Sequence, residues 1–277
     1  MIKPEALASL IKNCAPDAYF VGGAVRDALM KRYCGDIDLA MPRELVKPCA
    51  VKLAAKLKAS AFEMDPDFCV WRVTAKSGLQ IDLCAFVGKD IKADLKRRDF
   101  TVNALAYPVS SAFKIKTKPA GKKLSLLLTS LKKEDIIDLN GGIDDIKNKT
   151  VRANNSKVFT EDPLRLLRAF RVCAELKFKI EDKTLSLIKK SVSAALNPAG
   201  ERIQEEFKRI FAAANTANIL RAMDGAGLLS ALIPQLEDQK TCAICYYGEG
   251  GVFTHTMKVV ERIEFLLNNL EKAFPKF

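Results

Sequence analysis

The sequence predicts an α+β fold, with a small mixed sheet and helices in the first half and helices alone in the second. Three observations carry this. Short β-rich segments are confined to the first 150 residues, a helical pattern follows the glycine turns there, and from about residue 160 only helical periodicity remains. With 277 residues, 49% of them hydrophobic and 28% charged, the chain can build one large core or two smaller ones, and a mostly disordered protein is excluded.

Residues 5–13 and 44–59 repeat Leu, Ile and Ala at helical spacing and are predicted as amphipathic helices. Strands are predicted at 18–22, 36–40, 68–75 and 79–86. The last two, joined by Lys76-Ser77-Gly78, make a hairpin. Further helices are predicted at 161–176, 182–195, 200–214, 216–227 and 252–273, punctuated by Asn197-Pro198 and Pro234. No internal repeat is present. The stripe Val259, Ile263, Leu266, Leu267 and Leu270 is read as core or partner packing and leaves the oligomeric state open.

The longest apolar runs, such as Leu124–Leu131 with its interrupting Ser125, Thr129 and Ser130, fall short of the roughly 20 residues that span a bilayer, so no membrane partner is expected. The N-terminus carries neither a long apolar core nor a cleavage site and is not read as a secretory signal. Eight scattered cysteines do not form a disulfide framework, and a reducing cytoplasm is the expected location. The formal net charge of +12 favours a polyanionic partner. Much of that charge is local, because residues 109–133 hold seven lysines and no acid, leaving about +5 on the remainder. This insertion is expected to be a flexible, solvated loop, the alternative being a clamp on RNA phosphate.

The chemistry begins at Gly22-Gly23-Ala24-Val25-Arg26-Asp27, followed by Gly35-Asp36-Ile37-Asp38. Two glycines between a strand and a helix let backbone amides approach a phosphate, and Arg26 lies one turn into that helix. Asp36 and Asp38 alternate along a strand, so both carboxylates face one side of the sheet. Such a pair suits the divalent cations of in-line phosphoryl transfer. Asp82, on the strand expected beside them, is a candidate third carboxylate. It is open to roles as metal ligand, general base or solvent-facing strand acid.

Gly22-Gly23 with Asp36-x-Asp38 resembles the nucleotidyltransferase core of the DNA polymerase beta superfamily. The run Arg97-Arg98-Asp99-Phe100-Thr101-Val102-Asn103-Ala104-Leu105-Ala106 narrows this. It resembles the second signature of class II tRNA nucleotidyltransferases, the CCA-adding enzymes and their bacterial poly(A) polymerase relatives. Asp138-Leu139-Asn140-Gly141-Gly142-Ile143-Asp144-Asp145 is similar to their third motif, Glu161-Asp162-Pro163-Leu164-Arg165 to the fourth, and Glu201-Arg202-Ile203-Gln204-Glu205-Glu206 to the fifth.

The resemblance implies a polymerase-beta-like nucleotidyltransferase head over 1–150, a helical neck over 151–196 and a helical body over 197–277, with the family's tail apparently missing. It implies transfer of C and/or A residues from CTP and ATP to the tRNA 3′ end, with Mg²⁺ on Asp36 and Asp38 and release of pyrophosphate. Gly22, Gly23 and Arg26 would seat phosphates, the motif of Arg98, Asp99 and Asn103 would recognise the ribose, and Asp162 with Arg165 the base, while Glu161 holds Arg165. Thr160 is expected to cap the helix that carries these last residues. Arg168 and Arg171 bind phosphate or pair locally. The rival readings are a poly(A) polymerase acting on mRNA 3′ ends and a non-catalytic RNA-binding relic.

Only ten residues separate Phe86 from Arg97, fewer than the family usually carries there, which resembles the CC-adding branch. Cys242 and Cys245 do not make a structural zinc site, since four ligands are wanted and His255 is the sole histidine. His255 is assigned no catalysis.

Overall fold

A computed structural model of the chain describes residues 3–121 and 123–270. Lys122 of the insertion and residues 271–273 of the helix expected at 252–273 lie outside the described residues. The chain divides into two compact units, Met1–Asn148 and Lys149–Phe277.

The first unit opens with α1 (Pro4–Cys14), started by a proline at its first turn and burying Leu7, Ile11 and Cys14. There follow β1 (Tyr19–Val21), α2 (Gly23–Leu29), β2 (Ile37–Met41), α3 (Arg43–Leu57), β3 (Ser60–Asp65), β4 (Val70–Thr74), β5 (Gln80–Ala85) and α4 (Ile91–Lys96). After a 3₁₀ turn at Thr101–Asn103 come β6 (Leu105–Pro108), β7 (Lys114–Ala120), β8 (Lys123–Thr129), β9 (Ile137–Asp138) and α5 (Gly142–Lys147). Seven strands form one sheet in the order β3-β4-β5-β2-β1-β6-β9, in which only β2 and β5 run parallel. The expected hairpin of β4 and β5 is present, with Val73 opposite Ile81.

Alternation along the strands sends Phe20, Leu39, Ile81 and Leu83 to one face, where they meet Leu7, Ile11, Val46 and Leu53 of α1 and α3 in the main core. The other face carries a smaller cluster, Val21, Ala40 and Ala106 under Ile91 and Leu95 of α4.

The lysine-rich insertion is not a solvated loop. β7 and β8 pair over their full length as a two-stranded sheet, with Ile115, Leu124, Leu126 and Leu128 buried in the main core. Leu126 also exchanges backbone hydrogen bonds with Cys34 (2.7 and 2.8 Å), fastening the hairpin to the segment ahead of β2. In β8 the buried Leu124, Leu126 and Leu128 recur every second position, a strand period that a helical periodicity test does not register.

The second unit contains β10 (Thr150–Val151), α6 (Val158–Glu161), α7 (Arg165–Leu176), β11 (Lys179–Ile180), α8 (Asp182–Ser191) and α9 (Gly200–Phe211). It continues through α10 (Thr216–Gly225), α11 (Leu228–Leu232), α12 (Gln235–Thr241), α13 (Ile244–Tyr247) and α14 (Gly251–Asn268). The expected long helices are there. The three short ones from 228 to 247 carry too few turns to show a period, and the parallel bridge of β10 to β11 spans two residues per strand. The stripe on α14 is not core. Ile263, Leu266 and Leu267 are 51%, 48% and 64% exposed. Among the described residues no helix is long and apolar enough to cross a membrane.

Candidate active site

Strand register assembles the acids. Asp38 of β2 lies directly opposite Asp82 of β5, and their neighbours Leu39 and Leu83 point into the main core. Asp36 sits one residue before β2, so all three acids belong to the face that α4 partly covers. Burial, then the charges of Asp36 and Asp82, push the Asp38 carboxyl up to about 7. Burial, then Asp27 and Asp36, push the Cys34 thiol up to about 12. Two groups thus register one local excess of negative charge.

Asp82 is already engaged. Arg72 of β4 grips both its oxygens, Nε to Oδ1 at 2.8 Å and Nη2 to Oδ2 at 2.6 Å. Asp36 and Asp38 form no ion pair among the described residues. Two hard carboxylates two residues apart, neither in an ion pair among the described residues, fit a hydrated divalent cation such as Mg²⁺, which needs one or two protein carboxylates. No group of three or more His, Cys, Asp or Glu residues forms a ready metal cage among the described residues.

The glycine turn stands beside these acids. Gly22 has φ +61° and ψ −123°, a conformation that L side chains rarely adopt, and a Cβ there would lie 3.0 Å from Arg98 Nη1. A Cβ on Gly23 would lie 3.5 Å from Arg26 Nη2. Two guanidinium groups therefore flank the turn. With α2 only seven residues long, they contribute more to anion attraction than its dipole does.

Both arginines are held from behind. Asp94 of α4 accepts from Arg98 Nε and Nη2 (3.0 and 2.9 Å), leaving Nη1 toward Gly22. Burial opposes the charge on Arg98, but Asp94, Cys84 and Asp38 outweigh it and raise its pKa. Buried Arg26 pairs with Asp27 (3.0 and 3.1 Å) and donates from Nη1 to Asn103 Oδ1 at 2.6 Å. Asn103 Nδ2 donates in turn to Asp99 Oδ1 at 3.1 Å. The expected phosphate and ribose residues are thus links of one buried network running from Asp27 to Asp99. Thr101 extends the scaffold, donating to buried Asp145 at 2.6 Å, while a Cβ on Gly142 would clash at 2.2 Å with the Thr101 carbonyl oxygen.

In the second unit Glu161 ends α6 and Arg165 begins α7, with Asp162 extended between them. Thr160 does not cap α7, whose N-cap residue is Leu164 without a side-chain cap hydrogen bond; the turn leading into it is made by Asp162. Its Oδ1 accepts from Leu164 N at 3.2 Å, while the Thr160 hydroxyl bonds back to Lys157 O at 2.9 Å. Pro163 causes the break, since the residue before a proline avoids helical geometry. Glu161 Oε2 accepts from Arg165 Nη1 at 3.0 Å. Asp162 Oδ2 meets Arg202 Nη2 of α9 at 3.0 Å.

Of the two roles open to Arg171, the structure displays local pairing. Its side chain is 8% exposed and its Nε lies 2.6 Å from Glu206 Oε2, an ion pair without hydrogen-bond alignment; Glu175 accepts from Nη1 at 3.1 Å. Arg168 is more exposed and 3.9 Å from Glu206 Oε1.

The residues that sequence reasoning missed are partners: Asp27, Arg72, Asp94, Asp145, Arg202 and Glu206. Asp94 was findable, because it stands four residues before Arg98, the spacing of a helical ion pair. Arg72 and Asp145 carry no such local signal.

Residues 18–64 and 73–152 match the family described as the poly A polymerase head domain, and 177–240 match the one described as a probable RNA and SrmB-binding site of polymerase A. The chain belongs to the class II tRNA nucleotidyltransferase and poly(A) polymerase family. It is 35% identical over 231 residues to a CC-adding tRNA nucleotidyltransferase of Geobacter sulfurreducens, covering 83% of this chain and 48% of that protein. An A-adding tRNA nucleotidyltransferase of Deinococcus radiodurans is 30% identical, covering 90% and 52%. Among solved structures, a CCA-adding enzyme with CTP superposes with a TM-score of 0.68 at 26% identity, covering 87% of this chain and 57% of that one. A Thermotoga maritima CCA-adding enzyme complexed with tRNA gives 0.66 at 27%, covering 87% and 56%. The chain spans about half the length of the curated relatives it matches. Within this family the head's mixed sheet and the helical second unit follow the expected arrangement.

Proposed function

We propose that this chain transfers C and/or A residues from CTP and ATP to the 3′ end of tRNA, releasing pyrophosphate. The observation that carries this reading is the side-by-side placement of Asp36 and Asp38 with the Gly22 turn and its two guanidinium groups. Negative ligands for a cation and positive ligands for a triphosphate are both needed for in-line nucleotidyl transfer.

Asp36 and Asp38 would hold Mg²⁺, which when bound supplies charge neutralisation and a more acidic 3′-hydroxyl. Arg98 Nη1 and the Gly22 backbone would seat the triphosphate, and Asp94 keeps that guanidinium aimed. Asp99 and Asn103, fixed by Arg26, would meet the ribose. In the second unit, Arg165 braced by Glu161 would donate to the base edge and Asp162 would accept from it. Arg168 would meet a phosphate, while Arg171 and Glu206 pair with each other.

The ten-residue link between Phe86 and Arg97 supports the CC-adding branch, because it is a helix capped by Asp90 rather than a long loop. A poly(A) polymerase reading is not favoured, since relatives at 30–35% identity carry the names of CC-, CCA- and A-adding tRNA enzymes. All eight cysteines are free, which supports a reducing compartment such as the cytoplasm.

The test is to incubate the protein with Mg²⁺ and tRNA lacking its 3′ CCA, supply CTP, ATP or both, and size the product to one nucleotide. Extension by two C residues even with ATP is expected. A completed CCA end would remove the role of the short link, and no extension would return the RNA-binding relic as the better account.

A further inference from the structure

The β7–β8 hairpin is absorbed by none of the chemistry above, yet it is ordered, packed on the core and hydrogen-bonded to Cys34, two residues from Asp36. Along β7 the residues alternate. Ile115 is buried in the core, whereas Lys114, Lys116 and Lys118 are exposed. Pairing register sets these lysines opposite Thr129, Leu127 and Ser125 of β8, so the face they share carries no acid.

None of the three lysines forms an ion pair among the described residues. Surface lysines placed only for solubility are usually interspersed with acids, and the whole segment 109–133 contains none. Lys118 is seated over the Tyr33 ring, 4.7 Å from its centroid, so the end of the row is held in place. Two residues of strand separate successive lysines by about 6.7 Å. The spacing is comparable to the step between neighbouring phosphates of one nucleic-acid strand, and a β-strand presents it as a straight, rigid row.

We propose that Lys114, Lys116 and Lys118 form a contact surface for the phosphodiester backbone of RNA. The hairpin is tied by Leu126 to Cys34, in the segment that leads into Asp36 and β2, and its apolar residues share the main core of the first unit, so RNA held here is anchored to the unit that carries Asp36 and Asp38. A row of point charges binds phosphate without reading bases, so this surface contributes affinity and no sequence preference. The proposal rests on the tRNA-extension reading only for the identity of the RNA.

The experiment measures binding of the full chain to fluorescein-labelled tRNA lacking CCA by anisotropy across a NaCl titration, for the wild type and for the triple variant K114Q/K116Q/K118Q. Each lost phosphate contact removes roughly 0.7–0.9 from the slope of log affinity against log salt, so the slope is expected to fall by about 2–3. The triple Lys→Arg variant should restore it. In the extension assay KM for tRNA should rise while kcat and KM for CTP stay unchanged. An unchanged slope in the Gln variant overturns the proposal, as does weakened binding to anionic phosphatidylserine vesicles with unaltered RNA binding. Loss of extension activity with intact, lysine-dependent RNA binding would count against the catalytic reading alone.

Discussion

The two units use charged residues in opposite ways. In the first, Arg26, Asn103 and Asp99 are buried and tied in one hydrogen-bonded chain, and Asp94 holds Arg98 separately, with Nη1 left toward Gly22. In the second, the residues proposed to read the base sit at a helix junction in ion pairs that water reaches, Glu161 with Arg165 and Asp162 with Arg202. Among the described residues the pair sealed from water there is Arg171 with Glu206. Phosphate and metal chemistry needs preorganised charge, whereas a site that accepts more than one base needs side chains free to re-pair. Burial supplies the first and exposure the second.

The comparison is broken most sharply at the carboxylates. Asp36→Ala should lower nucleotide transfer at least about 10³-fold, a barrier change of about 4 kcal/mol, with the thermal midpoint maintained. Retained turnover would end the metal assignment.

Next comes the sealed pair. Glu206→Ala removes one of the two acids paired with buried Arg171, leaving Glu175, and should cost about 2–3 kcal/mol in denaturant unfolding, while Arg202→Ala, which opens an exposed pair, should cost no more than about 1 kcal/mol. Equal costs would remove the distinction between the two kinds of clamp.

Arg165→Ala should change the CTP-to-ATP preference in kcat/KM by roughly 10-fold, equivalent to about 1.4 kcal/mol, with a smaller effect on the faster of the two rates. Unchanged discrimination would exclude Arg165 from base reading.

The last test is a pH trend. Folded Asp38 keeps its proton up to about 7, so in EDTA its contribution to stability is present at low pH and is lost as pH rises from about 4 toward 7. Mg²⁺ affinity should run the other way and strengthen through the same window, because the ionised carboxylate is the ligand. Calorimetry on the wild type and Asp38→Asn checks both signs: the variant should lose both trends, and a wild type without them would refute the perturbed carboxyl.

Much of this protein was legible before its structure. The helices α1, α3, α7, α9 and α10 follow from apolar spacing alone, and the β4–β5 hairpin from its Lys-Ser-Gly turn. Gly22 announced a tight strand-to-helix turn, and the ordered motifs announced the family. These features are local, since a period of 3.6 or 2 and the chemistry of a turn are written in neighbouring residues. Tertiary structure alone paired Arg72 with Asp82, aimed Arg98 at Gly22, buried Arg171 against Glu206 and docked the lysine hairpin beside Cys34. Whether a charge faces a ligand or braces a scaffold depends on which distant residue strand register and helix packing bring alongside it. Burial then sets the strength of the resulting interaction, and no spacing along the chain encodes that.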